Sequence, residues 1–216
     1  MKKIASPLFQ DLSEAELDTL AAAGHLRTRQ FAKHEVIFRA GSCVREIGIV
    51  LRGSVHIENL DLWGTKSILS SVGAGQAFAE TYAFCGEALM VDAVAAEHCE
   101  ILFLHTVALT DARIEPALKD KLLRRLLAVS MRKNLSLSQR IFCTTPKTVR
   151  GRLLTYFSAQ AARCGRMEFE VPFNRQQMAD YLNLDRSALS KELCKMRDEG
   201  LLEFDKNRFV LKQLPE

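Results

Sequence analysis

The rhythm of apolar and polar positions changes three times along the chain, and each change predicts a different kind of element. Between Ser6 and Leu26, the residues Leu12, Leu17, Leu20 and Ala21 recur at helical spacing, with Ser13 and Glu16 forming an S-x-x-E capping box at the entry. This predicts a short N-terminal helix. From Arg29 to His105 the texture becomes short apolar runs: Val36 to Phe38, Ile47 to Leu51, Val55 to Ile57, Ser67 to Leu69, Val91 to Ala95 and Ile101 to Leu104. Gly41, Gly53, Gly64, Gly73, Gly75 and Gly86 sit between or at the ends of these runs, where tight turns are needed. Many short strands with such punctuation predict a β-barrel or sandwich.

From Ile114 onward, Leu118, Leu122, Leu123, Leu126, Leu127, Val129, Leu135, Leu137 and Ile141 follow one long helical pattern up to a break at Thr144-Thr145-Pro146. Within it Leu123, Leu127, Ser130, Asn134, Leu137 and Ile141 alternate spacings of four and three, the a/d rhythm of a coiled-coil seam with one polar Asn inside it. A helix that pairs two copies of the chain is the preferred reading. Packing on its own β-domain alone is the alternative, but a helix of this length carries more apolar surface than one small roll covers. After the break, Val149, Leu153, Leu154 and Phe157 open a further helix that runs to Cys164-Gly165.

The segment that carries function follows. Phe169 to Pro172 ends a short strand, Asn174 takes an N-cap position with Gln177 reaching back from N3, and Asp185 caps a second helix, Arg186 to Glu199, closed by Gly200. Asn183 suits a left-handed turn between them, and small Ala179 allows the helices to approach. Met178, Leu182, Leu184, Leu189, Leu193 and Met196 supply a shared core, which leaves Arg186, Ser187, Ser190, Lys191 and Lys195 as a polar, basic face. A helix lying in a DNA major groove needs such a face. Leu201 to Leu211 then forms a hairpin, so the helix-turn-helix has a wing.

Composition narrows the class further. The 216 residues are 48% hydrophobic and 26% charged, as expected of a globular protein and not of a disordered chain, a collagen or a disulfide scaffold. The net charge of +4 is small, but between Arg113 and Arg140 eight basic residues face only Glu115 and Asp120. The six cysteines show no C-x-x-C pair and no zinc-ligand spacing with His, so no metal site is predicted and buried hydrophobic roles are expected, Cys85 in its Gly-containing turn being the one exception considered. No run is long enough to cross a membrane, and the start Met1-Lys2-Lys3-Ile4 meets Pro7, Gln10 and Asp11 before any signal-peptide core develops, so a cytoplasmic location is expected.

In this order of β-roll, long helix and winged helix-turn-helix, the chain resembles the Crp/Fnr superfamily of bacterial transcription regulators over essentially its whole length. The clearest stretches are Arg175 to Leu182 with Asp185 to Lys191, and Gly75-Gln76-Ala77-Phe78-Ala79-Glu80 in the roll. The fold implied is α+β: an N-terminal double-stranded β-helix, a jelly-roll of the cyclic-nucleotide-binding type (residues 1–112), a long dimerisation helix (113–143) and a C-terminal winged helix-turn-helix domain (144–216). The resemblance implies base contacts from Arg186, Ser187, Ser190 and Lys191, phosphate contacts from Arg175 and Gln176, and an effector site in the roll near Phe78, Glu80 and Met90. The implied partners are double-stranded DNA, a second copy of the chain, RNA polymerase and a small-molecule effector.

The departures bear on the effector. Cyclic-nucleotide-binding relatives carry Phe-Gly-Glu followed about ten residues later by an Arg-Ser/Thr-Ala trio that neutralises the cyclic phosphate. Here the stretches read Phe78-Ala79-Glu80 and Met90-Val91-Asp92, so cyclic AMP is not expected. No cysteine precedes Cys43, which disfavours the iron–sulfur cluster of the oxygen-sensing branch. Haem stays open as an alternative through His56, His98 or Cys99, beside a weakly charged organic molecule or a redox signal. No catalytic residue is assigned, because no G-x-S-x-G, H-E-x-x-H or phosphate loop occurs. A barrel enzyme and a protein-binding scaffold are the alternatives from other classes.

Overall fold

The computed structural model describes residues 4–60 and 66–212, so Gly64 and the basic start Met1 to Lys3 lie outside the described residues. The chain forms two compact units, residues 1–132 and 133–216. In the first, α1 (Glu14–Ala22) begins with the expected capping box: Ser13 Oγ accepts the Glu16 N–H, and the Glu16 carboxylate accepts the Ser13 N–H at 2.8 Å. Among the described residues eight strands follow: β1 (Leu26–Phe31), β2 (Val36–Phe38), β3 (Glu46–Arg52), β4 (Val55–Leu60), β5 (Lys66–Val72), β6 (Ala77–Phe78), β7 (Asp92–Ala95) and β8 (Cys99–His105). They form two four-stranded antiparallel sheets, ordered β1-β8-β3-β6 and β2-β7-β4-β5. A short helix, α2 (Glu80–Cys85), interrupts the strands after β6.

Alternation along β8 shows how the apolar runs are used. Cys99, Ile101 and Phe103 point into a core that includes Phe31, Val50, Val55 and Phe78, whereas Leu102 and Leu104 join a second core with Leu17, Leu20, Ile47 and Ile49. A strand buried on both faces reads as an unbroken apolar run, which is why Ile101 to Leu104 was legible. Strand β1 was not, because its Leu-Arg-Thr-Arg-Gln-Phe sequence is buried only at its ends. Pairing with β8, from Leu26 opposite Leu104 to Phe31 opposite Cys99, makes it a strand, and Arg27 Nε donates to Glu46 at 2.6 Å. The corner at Gly53 needs glycine twice over: φ is +83°, and a Cβ there would lie 2.6 Å from the His98 carbonyl oxygen.

Helix α3 (Pro116–Thr144) is 29 residues long, or about 43 Å at the α-helical rise, with proline at its first position. Leu118, Leu122 and Leu126 bury one edge of it in the core shared with α1. In the second unit, α4 (Val149–Cys164) starts at an N-cap on Thr148, a few residues past the Thr144-Thr145-Pro146 break, and ends at Gly165. Strand β9 (Glu168–Glu170), helices α5 (Arg175–Leu182) and α6 (Arg186–Asp198), and strands β10 (Leu202–Asp205) and β11 (Arg208–Leu211) complete the chain, with a sheet ordered β10-β11-β9. Their core gathers Leu153, Tyr156, Phe157, Phe169, Met178, Leu189, Leu193, Met196 and Phe209. The Phe157 and Phe209 rings lie 4.6 Å apart at its centre.

Candidate nucleic-acid interface

The interface is built by caps. Asn174 accepts the Gln177 N–H at 2.9 Å while Gln177 Oε1 accepts the Asn174 N–H at 2.9 Å, which fixes where α5 begins. Asn183 ends α5 at φ 53°, the left-handed value the turn requires. Asp185 then starts α6 by accepting the Ala188 N–H at 2.9 Å and the Ser187 hydroxyl. The Ser187 hydroxyl and the Ala188 N–H hold the Asp185 carboxyl below the usual carboxylate range.

With Leu189, Leu193 and Met196 fully buried, the opposite side of α6 leaves Arg186, Ser187 and Lys191 exposed and Ser190 half-buried. The Ser190 hydroxyl donates to the Arg186 carbonyl at 2.9 Å. A shallow groove of about 590 Å³ runs past Ser190, Lys191, Cys194, Lys195, Asp198 and Glu199. Arg150 of α4 holds this helix from behind, donating to Glu192 at 2.6 Å and to Glu199 at 3.0 Å.

Arg175 is half-buried against the wing. Its guanidinium lies 4.9 Å from the Phe204 ring and 5.2 Å from the Phe209 ring, and burial pushes it below the ordinary arginine value. Gln176 is exposed, with Nε2 donating to Asp180 at 2.8 Å. A second groove of about 500 Å³ brings Arg175 together with Asn174, Asn207 and Lys206 of the wing tip. The sequence reading missed Lys206; its signal was the Asp205-Lys206-Asn207 turn, where Lys206 adopts φ 50°.

On α3, Leu123, Leu127, Asn134, Leu137 and Ile141 are exposed and Ser130 is half-buried. Met131, Leu135 and Phe142 are exposed beside them, at 51%, 70% and 65%, so the unpartnered apolar stripe is broader than a strict a/d seam. Leu135 already belongs to the long helical pattern, and a template wider than the a/d seam would have added Met131 and Phe142.

In the roll, Phe78 is buried with its ring 5.8 Å from Phe38, lying where a Cβ on Gly48 would fall. Glu80 is buried at the first turn of α2, and Ala79 before it holds φ 61°, the conformation glycine adopts most easily. Met90, in contrast, is 76% exposed. Asp92 accepts the Ala40 N–H at 2.6 Å and so ties down a loop. Cys99 is buried with its thiol donating to the Ser54 carbonyl at 3.0 Å, and His56 Nδ1 lies 3.7 Å from Glu58. The expectation that cysteines are buried holds for Cys99 and Cys143 alone: Cys43, Cys85, Cys164 and Cys194 are exposed. Among the described residues no cluster of His, Cys, Asp and Glu has the makings of a metal site, and no helix is long and apolar enough to cross a membrane.

Fold and interface together are those of a winged helix-turn-helix protein with an N-terminal β-roll. Residues 28–113 match the cyclic nucleotide-binding domain family and residues 151–216 the Crp-like helix-turn-helix domain. The chain belongs to the Crp/Fnr superfamily of transcription regulators. It is similar to the Thermus thermophilus catabolite activator protein, with 25% identity, a TM-score of 0.50, and coverage of 96% of this chain and 94% of that one. FixK2 from Bradyrhizobium japonicum shares the fold at 19% identity and a TM-score of 0.50, covering 87% and 93%. CprK complexed with OCPA does so at 14% identity and a TM-score of 0.64, covering 94% and 91%. No curated protein sequence matches this chain.

Proposed function

We propose that the chain is a homodimeric, effector-responsive regulator that reads an inverted-repeat operator through paired α6 helices. The observation that carries this reading is the exposed basic face of α6, capped by Asp185 and backed by a fully buried Leu189, Leu193 and Met196. Pairing through Leu123, Leu127, Ser130, Asn134, Leu137 and Ile141 would give two such faces spaced for half-sites about 34 Å apart. Arg186, Ser187, Ser190 and Lys191 read bases; Arg175, Gln176 and Lys206 hold phosphates; RNA polymerase is the downstream partner and the cytoplasm the compartment. The reading assigns no catalytic step.

The test is a salt-titrated binding assay on a duplex enriched from a random pool, with molecular mass by sedimentation. A dimer whose affinity falls steeply with salt supports the reading, and a monomer indifferent to every duplex sinks it. Arg186→Ala and Lys191→Ala should each cost about 1–3 kcal/mol on the enriched duplex and relax its sequence preference, whereas Arg175→Ala weakens all duplexes alike.

The effector of this reading is not cyclic AMP. Where the family's phosphate-binding arginine would stand, Met90 faces solvent and Asp92 brings a carboxylate already bonded to the backbone. A weakly charged organic molecule near Phe78 and Glu80 fits better, shifting the population between two states of the dimer. Absorption and native mass spectra of freshly purified protein separate this from haem, which would show a Soret band.

A further inference from the structure

The end of α5 has an unmet need. The last carbonyls of any α-helix lack intrahelical partners and carry the negative end of its dipole, and α5 has no basic residue of its own in its last turn. Two arginines from elsewhere in the same unit supply the donors. Arg140, in the last turns of α3, donates from one guanidinium nitrogen to the Asp180 carbonyl at 3.0 Å and from Nε to the Tyr181 carbonyl at 3.0 Å. Arg152, on α4, donates to the Leu182 carbonyl at 3.1 Å and the Asn183 carbonyl at 2.7 Å, and also to Pro146 at 2.8 Å. Four successive carbonyls, running from α5 into its turn, are thus held by charge-assisted hydrogen bonds.

The consequence is geometric. Helices α5 and α6 pack tightly through fully buried Met178, Ala179, Leu182, Leu189 and Leu193, joined by a short turn locked at Asn183. Whatever orients α5 therefore orients α6. Arg140 is the group on the long helix that does so through a planar fork, which resists rotation in a way that a single contact or loose apolar packing does not. Cys143, one turn further along α3, is buried in the same core and anchors the helix beside it.

We infer that Arg140, backed by Arg152, is a positioning residue for operator recognition: it sets the angle at which the recognition helix leaves the end of the dimer helix. This rests on the DNA-binding reading above. It predicts a defect that a stabilising contact alone would not produce. Two half-sites are bound together only when both recognition helices hold the right angle, whereas one half-site tolerates a wrong angle.

The experiment uses the full-length protein and the inverted-repeat duplex that the wild type enriches from a random pool, beside a duplex carrying one half-site next to scrambled sequence. Arg140→Ala should lower the ratio of full-site to half-site affinity by about tenfold or more, with half-site affinity changed less than about threefold. Arg132→Ala, which removes the same charge from the same helix, should leave the ratio unchanged. Arg140→Lys keeps the charge without the fork and should fall in between; it also carries the test if the alanine variant does not fold. Hydrogen exchange should quicken at the amides of Asn183 and Leu184 in Arg140→Ala. A full-to-half ratio equal to wild type in both Arg140 variants overturns the inference, as does an equal loss on both duplexes. Failure of the wild type to enrich any duplex would instead overturn the DNA-binding reading, and unchanged exchange in Arg140→Ala would then overturn the grip as well.

Discussion

The two units bury aromatic rings in similar ways and use them for opposite ends. In the roll, Phe31, Phe38, Phe78 and Phe103 face inward and pack on one another, with Phe103 5.7 Å from Phe38 and 6.1 Å from Phe31. In the winged unit, Phe157, Phe169 and Phe209 form a platform behind helices whose chemistry points outward. A surface that binds an extended polyanion needs a rigid backing and a free polar face, and it gains nothing from an interior cavity. A small-molecule site depends on the interior, where one methyl group changes the fit. The winged unit therefore displays its basic face in a short run of sequence, while the effector site proposed for the roll would depend on packing.

The sharpest attack on this comparison is to remove one ring from each core. Phe157→Ala and Phe103→Ala should each cost about 3–5 kcal/mol in chemical denaturation. Hydrogen exchange should localise the first loss to residues 133–216 and the second to residues 1–132. Equal loosening of both units by either variant would break the comparison. A smaller effect comes from Asn174→Ala, which removes half of the α5 capping box and should cost about 1 kcal/mol, read as a lower Tm and weaker DNA binding.

Two further variants sharpen the picture of the roll. Ala79→Gly relieves the left-handed backbone and should stabilise the first unit by about 0.5–1 kcal/mol, since glycine's greater unfolded freedom offsets part of the relief. It also restores the Phe-Gly-Glu form, and titration calorimetry should still show no cyclic AMP binding, because Met90 and Asp92 remain. Acid should then separate the units by residue. Hydrogen bonds from the Arg113 side chain and backbone, and from His25 Nε2 at 2.7 Å, hold the Asp111 carboxyl well below its usual range. A carboxyl lowered in the folded state contributes stability that is complete above the ordinary carboxylate range and is lost as the pH falls below that range through the lowered folded-state value. Asp185 follows the same sign at the start of α6. Profiles of Tm against pH should therefore lose part of their acid limb in Asp111→Asn for the first unit and in Asp185→Asn for the second.

Legibility followed the distance along the chain over which each interaction acts. The capping boxes of Ser13 with Glu16 and Asn174 with Gln177 span three residues, and both formed where the spacing put them. The N-cap at Asp185 and the left-handed Asn183 were equally local. Helix α2 escaped because six residues are too few to establish a period, and Gly86 read as a plain turn when it is in fact the helix's C-cap. The a/d template caught Leu123 and Leu127 but was too narrow for Met131, Leu135 and Phe142.

By itself, the sequence determined the order of roll, long helix and winged helix-turn-helix, the caps that start and stop α5 and α6, and the basic face between Arg186 and Lys191. Each depends on neighbours a few residues apart, whose geometry the backbone imposes. The tertiary structure decided that polar β1 is a strand, that Phe78 fills the space over Gly48 while Met90 faces water, and that Arg175 lies across Phe204 and Phe209. It also decided that Arg140 and Arg152 complete the end of α5. These arrangements join segments far apart in the chain. Their partners are chosen by which surfaces and unmet hydrogen bonds come together on folding, and no local pattern records that choice.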